Sequence, residues 1–305
     1  MSYVLLESSR MRNRKGVFLV GCLIFSCFVL VYYLHVIDGL GGSSGNLGFF
    51  NRPRYQFKPE YTDLNGPDVN YKDPKLLQKL KSHHLHRWTT NNYNLTNTTT
   101  DYDPSMGQSQ IVRTLFENDG NRKDKFFIEC GALDGELRSN TLYLERVLGW
   151  EGLLIEADPD NFKELEWKRR KSWASNSCLS TKEYPTMVSF EQKVNQGRIS
   201  AFTAGYLEKG FVDVQCYPFA TYMTLLNRSR VDYFSLDVEG LELQILKTID
   251  FNKFDIKVLS VEFIHDKEGK EAIREFMIMQ GYYVKALVTH PNWLANDFIF
   301  VKEGL

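Results

Sequence analysis

Residues 125–135 read KFFIECGALDG, and this stretch decides the fold. Phe126, Phe127 and Ile128 run together without polar alternation, the pattern of a strand covered on both faces, and a glycine-bearing turn follows at once. The same design recurs outward from it. Residues 152–156 (GLLIE) form a second strand signal, and Pro159 opens a helix over 159–171 as a first-turn proline does. A helix is expected over 137–148 and a third strand over 173–179. After a less regular stretch come a fourth strand at 231–237 (VDYFSLD), a helix at 241–249, a fifth strand at 258–262, and a helix at 270–280 stopped by Gly281. Residues 282–288 and 297–301 would close the sheet as an antiparallel pair. Strands alternating with helices predict an open, mostly parallel α/β sheet.

In such sheets ligands bind beyond the carboxyl ends of the strands, near the point where strand order reverses. Acids gather at those ends. The first strand leads into Glu129, Asp134 and the glycines 131 and 135, the second ends at Glu156, the fourth at Asp237 and Glu239, and the fifth at Glu262. The glycine turn is not the GxGxxG of a dinucleotide pyrophosphate site. Four carboxylate-bearing strand ends suit a ligand rich in hydroxyls or carrying positive charge, and do not suit a phosphate. Taken singly, each acid has the more common reading of a turn residue or helix cap, Asp158 before Pro159 above all.

Residues 17–37 (VFLVGCLIFSCFVLVYYLHVI) carry no charge and follow Arg10, Arg12, Arg14 and Lys15. Their length, about 31 Å as a helix, matches a hydrocarbon core of about 30 Å. The basic flank precedes the run, and the segment after it is uncharged between Asp38 and Arg52, so residues 1–16 are expected to be cytosolic and the bulk lumenal, a type II signal anchor. A buried helix of a soluble protein is the plainer alternative. Sequons at Asn94, Asn97 and Asn227 agree with a lumenal chain. Residues 38–104, with GGSSGN and scattered prolines, read as a stalk, and 105–305 as one folded domain. A net charge of -1 gives no reason to expect nucleic acid as a partner. Cys130, Cys178 and Cys216 are an odd set for an oxidising compartment. A Cys178–Cys216 bridge is expected over Cys130–Cys178, whose strands would be separated by a third. His83, His84 and His86 (KSHHLHR) lack nearby acids or cysteines and read as a solvated basic cluster rather than a metal site.

FIECGALDGELRSNTLYLER, GLLIEADPDNF and VDYFSLDVEGLELQIL, in this order and spacing, resemble the signature blocks of the FkbM methyltransferase family over residues 105–305. The resemblance implies a Rossmann-like fold with a mostly parallel seven-stranded sheet, built around S-adenosylmethionine. It implies that Glu129, Gly131, Asp134 and Gly135 form the methionine-side loop, supported by Asn140. Glu156 would hold the ribose, and Asp158, Cys178 and Leu179 would flank the adenine. Asp237 and Glu239 would face the transferred methyl group, with Glu262 and His265 behind them as base or metal ligands. Within the family, PSMGQSQIV and the residues around Cys178 and Cys216 are similar to a single-pass membrane branch of the secretory pathway. That branch implies work at endoplasmic reticulum and Golgi membranes, and at endosomes or the plasma membrane, in transporting membrane cargo such as growth-factor precursors. The alternative is an active O-methyltransferase acting on a sugar or similar hydroxyl. One departure bears on activity: Phe219-Ala-Thr-Tyr222 stands where many catalytic members carry Leu-Asp, so an acid is missing.

Overall fold

The computed structural model describes residues 64–88, 92–117, 124–193, 196–200, 204–205, 208–290 and 295–305. The expected membrane anchor at 17–37 and its basic flank lie outside these residues. Among the described residues no helix is long and apolar enough to cross a membrane.

In chain order the first elements are α1 (Pro74–Lys79), a π-helical turn (Leu80–His84), β1 (Leu85–Arg87), α2 (Gln108–Leu115), β2 (Phe126–Cys130) and α3 (Leu142–Arg146). Next come β3 (Glu151–Glu156), α4 (Pro159–Lys168), β4 (Trp173–Asn176), β5 (Cys178–Leu179), β6 (Thr186–Glu191), β7 (Arg198–Ile199) and β8 (Phe211–Tyr217). The chain continues through α5 (Phe219–Leu225), β9 (Arg230–Leu236), α6 (Glu242–Leu246), β10 (Asp255–Glu262), α7 (Lys270–Met279), β11 (Tyr282–Thr289) and β12 (Asn296–Lys302).

The main sheet has the order β1-β4-β3-β2-β9-β10-β12-β11. Its centre is parallel, and β1, β12 and β11 pair antiparallel. The expected terminal pair is therefore present, but the sheet is mixed and eight-stranded rather than seven-stranded. The extra strand is β1, too short for a periodic signal, which comes from the segment read as a stalk and pairs Leu85 with Ser175 and Arg87 with Trp173. Alternate residues of the central strands enter opposite cores. Phe126, Ile128, Leu153, Ile155 and Phe234 pack on one face, and Phe127, Leu154, Tyr233 and Val258 on the other.

The described residues of the expected stalk, 64–88 and 92–104, are part of this fold. Leu64, Leu76 and Leu80 are buried in the first core. Glu136, itself buried, accepts hydrogen bonds from the Thr96 and Asn97 amides, each 2.7 Å, and so docks that segment on the domain. Of the three histidines expected to form a solvated cluster, His84 is packed into the fold. His84 Nδ1 meets the Asn176 carbonyl at 2.8 Å, and burial lowers its pKa to about 4.

The helix expected over 137–148 is cut to Leu142–Arg146 because Glu129 claims the residues before it. Its carboxylate accepts from Ser139 Oγ, the Asn140 amide and Thr141 Oγ1, holding them in a loop. The expected strand at 173–179 breaks at Ser177, whose amide bonds to the Glu156 carbonyl. Beyond the break the chain enters a second sheet, β5-β8-β6-β7, lying in the stretch that read as irregular. Cys178 and Cys216 are register partners in it and form a disulfide, while Cys130 is a buried free thiol.

Candidate functional site

Sheet order reverses between β2 and β9: the chain runs from β2 outward through β3 and β4, then returns to start β9 beside β2. The loops after these two strands are locked together. The Asp237 amide donates to the Cys130 carbonyl at 3.1 Å, and the Gly131 and Ala132 amides donate to the Ile155 carbonyl at 3.0 and 3.1 Å. Gly131 has φ +84°, and a Cβ there would fall 1.9 Å from the Asp237 carbonyl oxygen. Only glycine allows this approach. Glu156 ties in the third loop, accepting from the Leu133 amide at 2.7 Å and the Asp158 amide at 2.8 Å. Burial raises its pKa to about 7.

These loops bound a cleft of about 990 Å³, its open mouth included. Of the residues expected at a cofactor, Glu129, Gly131, Asn140, Glu156, Cys178 and Leu179 line it. Glu129 does so with its carboxylate already committed to residues 139–141. Three expected residues stand outside. Asp134 accepts from the Glu136 and Leu137 amides at 2.8 and 2.6 Å and faces Lys168, so it holds a turn. Gly135 packs against Leu165 and Arg170. Asp158 is the buried cap of α4, its carboxylate accepting from the Asp160 amide at 2.9 Å and from Gln192 Nε2. The sequence reading missed one wall, Phe190 and Ile199, which the second sheet contributes.

A second pocket of about 620 Å³, its open mouth included, adjoins the first, the two sharing Arg138, Asn140, Asp237 and Glu239. All four residues expected at the chemistry line it: Asp237, Glu239, Glu262 and His265. His265 Nδ1 lies 2.9 Å from Glu239 and 3.4 Å from Glu262. Gly240 makes this possible, since a Cβ there would sit 2.5 Å from the His265 carbonyl oxygen. Three lining residues that are not glycine have left-handed backbones: Leu133 (φ +51°), Arg138 (φ +57°) and Glu239 (φ +59°). Such strain gathers where surrounding structure fixes a side chain for use.

The second pocket is acidic. Asp237 opens to solvent within the cleft, yet the protein around it raises its pKa to about 6 against the pull of Arg138. Burial and then Asp237 push Glu239 up to about 7, and burial, Asp237 and Glu242 push Glu262 up to about 9. Burial lowers the pKa of His265. The sequence reading missed Arg138, Gln108 and Asp297. Gln108 Nε2 donates to Asp297 Oδ2 at 2.9 Å, and burial raises Asp297 to about 7. An available signal was the antiparallel register of β12, which begins beside the end of β10, with Asp297 opposite Glu262.

For a metal, oxygens of Asp237, Glu242 and Glu262 lie within 4.8 Å of one another. Glu242 is fully buried and already accepts from the Val238 and Gly240 amides, which fixes the loop carrying Asp237 and Glu239.

The profile of the methyltransferase FkbM domain matches residues 129–284, just over half of the 305 residues. No curated protein matches the chain. Among solved structures, methyltransferase FkbM from Methylobacillus flagellatus overlaps with a TM-score of 0.40 at 14% identity, over 59% of this chain and 44% of that one. The chain thus spans less than half of that protein's length. A precorrin-6y C5,15-methyltransferase from Geobacter metallireducens overlaps at 0.34 and 12% identity, over 63% of this chain and 85% of that one. The N-terminal domain of human METTL16, in complex with SAH, overlaps at 0.32 and 12% identity, over 77% and 84%. The extent of the profile match decides the matter: the chain belongs to the methyltransferase FkbM domain family.

Proposed function

We propose that this is an S-adenosylmethionine-binding methyltransferase domain, anchored by residues 17–37 on the lumenal side of secretory-pathway membranes, where it serves transport of membrane cargo such as growth-factor precursors. One observation supports the biochemical part: two adjoining pockets share Asp237 and Glu239, and in this reading the first takes a nucleoside and the second an acceptor. The first fits the cofactor. Glu156 offers a buried carboxylate for ribose hydroxyls, and Leu179, Phe190 and Ile199 offer apolar walls for a base. When bound there, S-adenosylmethionine supplies an electrophilic methyl group. The chain's own residues would align the acceptor from the second pocket, and the Glu239–His265 pair would take its proton. Arg138 would balance the charge left on the acids.

Isothermal titration of the full-length protein with S-adenosylhomocysteine tests this reading. Micromolar binding abolished by Glu156→Ala supports it, and absence of binding removes it. The topology has its own test. Glycosidase should shift the mobility of the expressed protein through Asn94, Asn97 or Asn227, and a lack of shift together with digestion by protease outside sealed microsomes would place the domain in the cytosol.

A second reading, escort of membrane cargo without catalysis, is favoured by Phe219–Tyr222. Here α5 buries both residues, and Tyr222 bonds to Ser175 and Ser177, so no acid reaches the cleft from this block. Export of cargo by a Glu239→Gln, His265→Ala variant that still binds S-adenosylhomocysteine separates the two: retained export favours escort.

A further inference from the structure

Residues 64–87 are fastened along the outer edge of the main sheet, and a histidine sits at the fastening. Leu76 and Leu80 are buried in the first core, Lys79 Nζ donates to Gln215 Oε1 at 2.6 Å, and β1 adds three residues alongside β4. Between α1 and β1, the π-helical turn carries His84 to the last residue of β4. His84 Nδ1 lies 2.8 Å from the Asn176 carbonyl oxygen, which can only accept, so in the neutral ring Nδ1 holds the proton. Nε2 is buried and has no hydrogen-bond partner among the described residues. A second proton must go to Nε2, where nothing accepts it.

The groups around the ring do not compensate that charge. Lys79 on α1, His83 in the turn and His86 on β1 each disfavour it. From β8 comes the Tyr217 ring, 5.5 Å away between centroids, its hydroxyl kept neutral by burial. From β4 comes the Asn176 carbonyl already used. Among the described residues no carboxylate ranks with these neighbours, since Glu166 on α4 faces His86 instead, at 3.8 Å. The neutral ring fits the docked segment and the charged ring does not.

We infer that His84 is a pH-sensitive clasp: a second proton on its ring releases the π-helical turn and β1 from β4, while the centre of the sheet stays folded. The device needs neither the cofactor nor the membrane anchor to operate. Burial lowers the pKa of His84 from 6.5 to about 4 in the docked state, and release restores the ordinary value. A depressed pKa on a basic group favours docking above 6.5, and that contribution is lost as pH falls from 6.5 toward 4. Between pH 7.5 and pH 5 the docking equilibrium should weaken by about 30-fold. Lys79, lowered to about 8, is already charged through this range and adds little to the change. The raised carboxyls Glu156, Glu239 and Glu262 have the opposite sign, so the edge loosens where the cleft tightens.

The experiment is hydrogen exchange on the full-length protein in detergent micelles at pH 7.5, 6 and 5, corrected for the intrinsic pH dependence of exchange. Amides of residues 80–87 should lose protection by about 30-fold between pH 7.5 and 5, and those of β2 and β9 should not. His84→Asn and His84→Gln do not titrate in this range, and each should remove the pH dependence. If either variant fails to fold, seen as lost protection in β9 at pH 7.5, the other carries the comparison. Carbon-13 shifts of the native His84 ring decide independently of both: at pH 6 they should report a neutral ring protonated at Nδ1. An imidazolium there at pH 6, unchanged protection of residues 80–87 down to pH 5, a loss shared equally by β2 and β9, or the same loss in a folded variant would each overturn the inference.

Discussion

Gly131 and Asp237 touch through their backbones: a Cβ on Gly131 would lie 1.9 Å from the Asp237 carbonyl oxygen. Two loops from strands far apart in sequence are thereby brought to one point, with the cofactor cleft on one side and the acidic pocket on the other. Gly131→Ala cannot be absorbed by a side-chain rotation, since the clash is with backbone at a positive φ. The variant should lose about 1–3 kcal/mol of stability, as overpacked sites do, and should lose S-adenosylhomocysteine binding even at temperatures where it is folded. Thermal melts and titration together check this; binding that survives would mean the loop junction does not shape the cleft.

The buried acids set a pH dependence with a definite sign. Glu156 rises from an ordinary 4.5 to about 7, Glu239 also to about 7, and Glu262 to about 9. A carboxyl whose pKa is raised by folding binds more protons folded than unfolded between the two values, so stability falls as pH rises through that window. The domain should therefore melt higher near pH 5 than near pH 8. Glu262→Gln should flatten the upper part of the curve. A melting temperature that climbs steadily from pH 5 to 8 would show that these carboxylates are charged and compensated in the folded state.

Much of the frame was legible because the parallel core strands bury both faces and leave long apolar runs, as 126–130, 152–156 and 231–236 do. The acids closing those strands were legible for the same reason. What escaped notice has specific physical causes. The 139–141 loop is held by a carboxylate, Glu129, ten or more residues earlier, and no local helical pattern records that. β1 is three residues long and gains its place only by pairing with β4. Asp297 joins the pocket through an antiparallel strand whose start happens to face the carboxyl ends of its neighbours. Asp134 read as a site acid because its neighbours in sequence are site residues, but its carboxylate turns back to its own loop.

The Cys178–Cys216 disulfide closes a sequence separation of 38 and ties β5, which lines the cleft, to β8 within the second sheet. On loop-entropy grounds its loss should cost about 3–4 kcal/mol. Peptide mapping without reduction should recover this pair, with Cys130 alkylated only after denaturation. A Cys130–Cys178 pair would contradict the strand order. Reduction should lower the melting temperature and weaken nucleoside binding together, because Phe190 and Ile199 reach the cleft from the sheet that the bridge secures.

The two kinds of carboxylate should part company on mutation. Asp134 holds two amides of its own turn and faces Lys168, so Asp134→Ala removes a structural acceptor and should cost about 0.5–2 kcal/mol, the range for a lost cap. Among the described residues Asp237 accepts no hydrogen bond comparable to these; it stands open in the cleft and repels Glu239, Glu242, Glu262 and Asp297. Neutralising it relieves four neighbours at once. Asp237→Asn should leave the melting temperature unchanged or raise it near pH 7.5, while weakening S-adenosylhomocysteine binding. Melts and titrations on both variants decide between these roles. If Asp237→Asn melts as low as Asp134→Ala and binds S-adenosylhomocysteine as the native protein does, Asp237 is a structural acid and the two pockets do not meet at a working site.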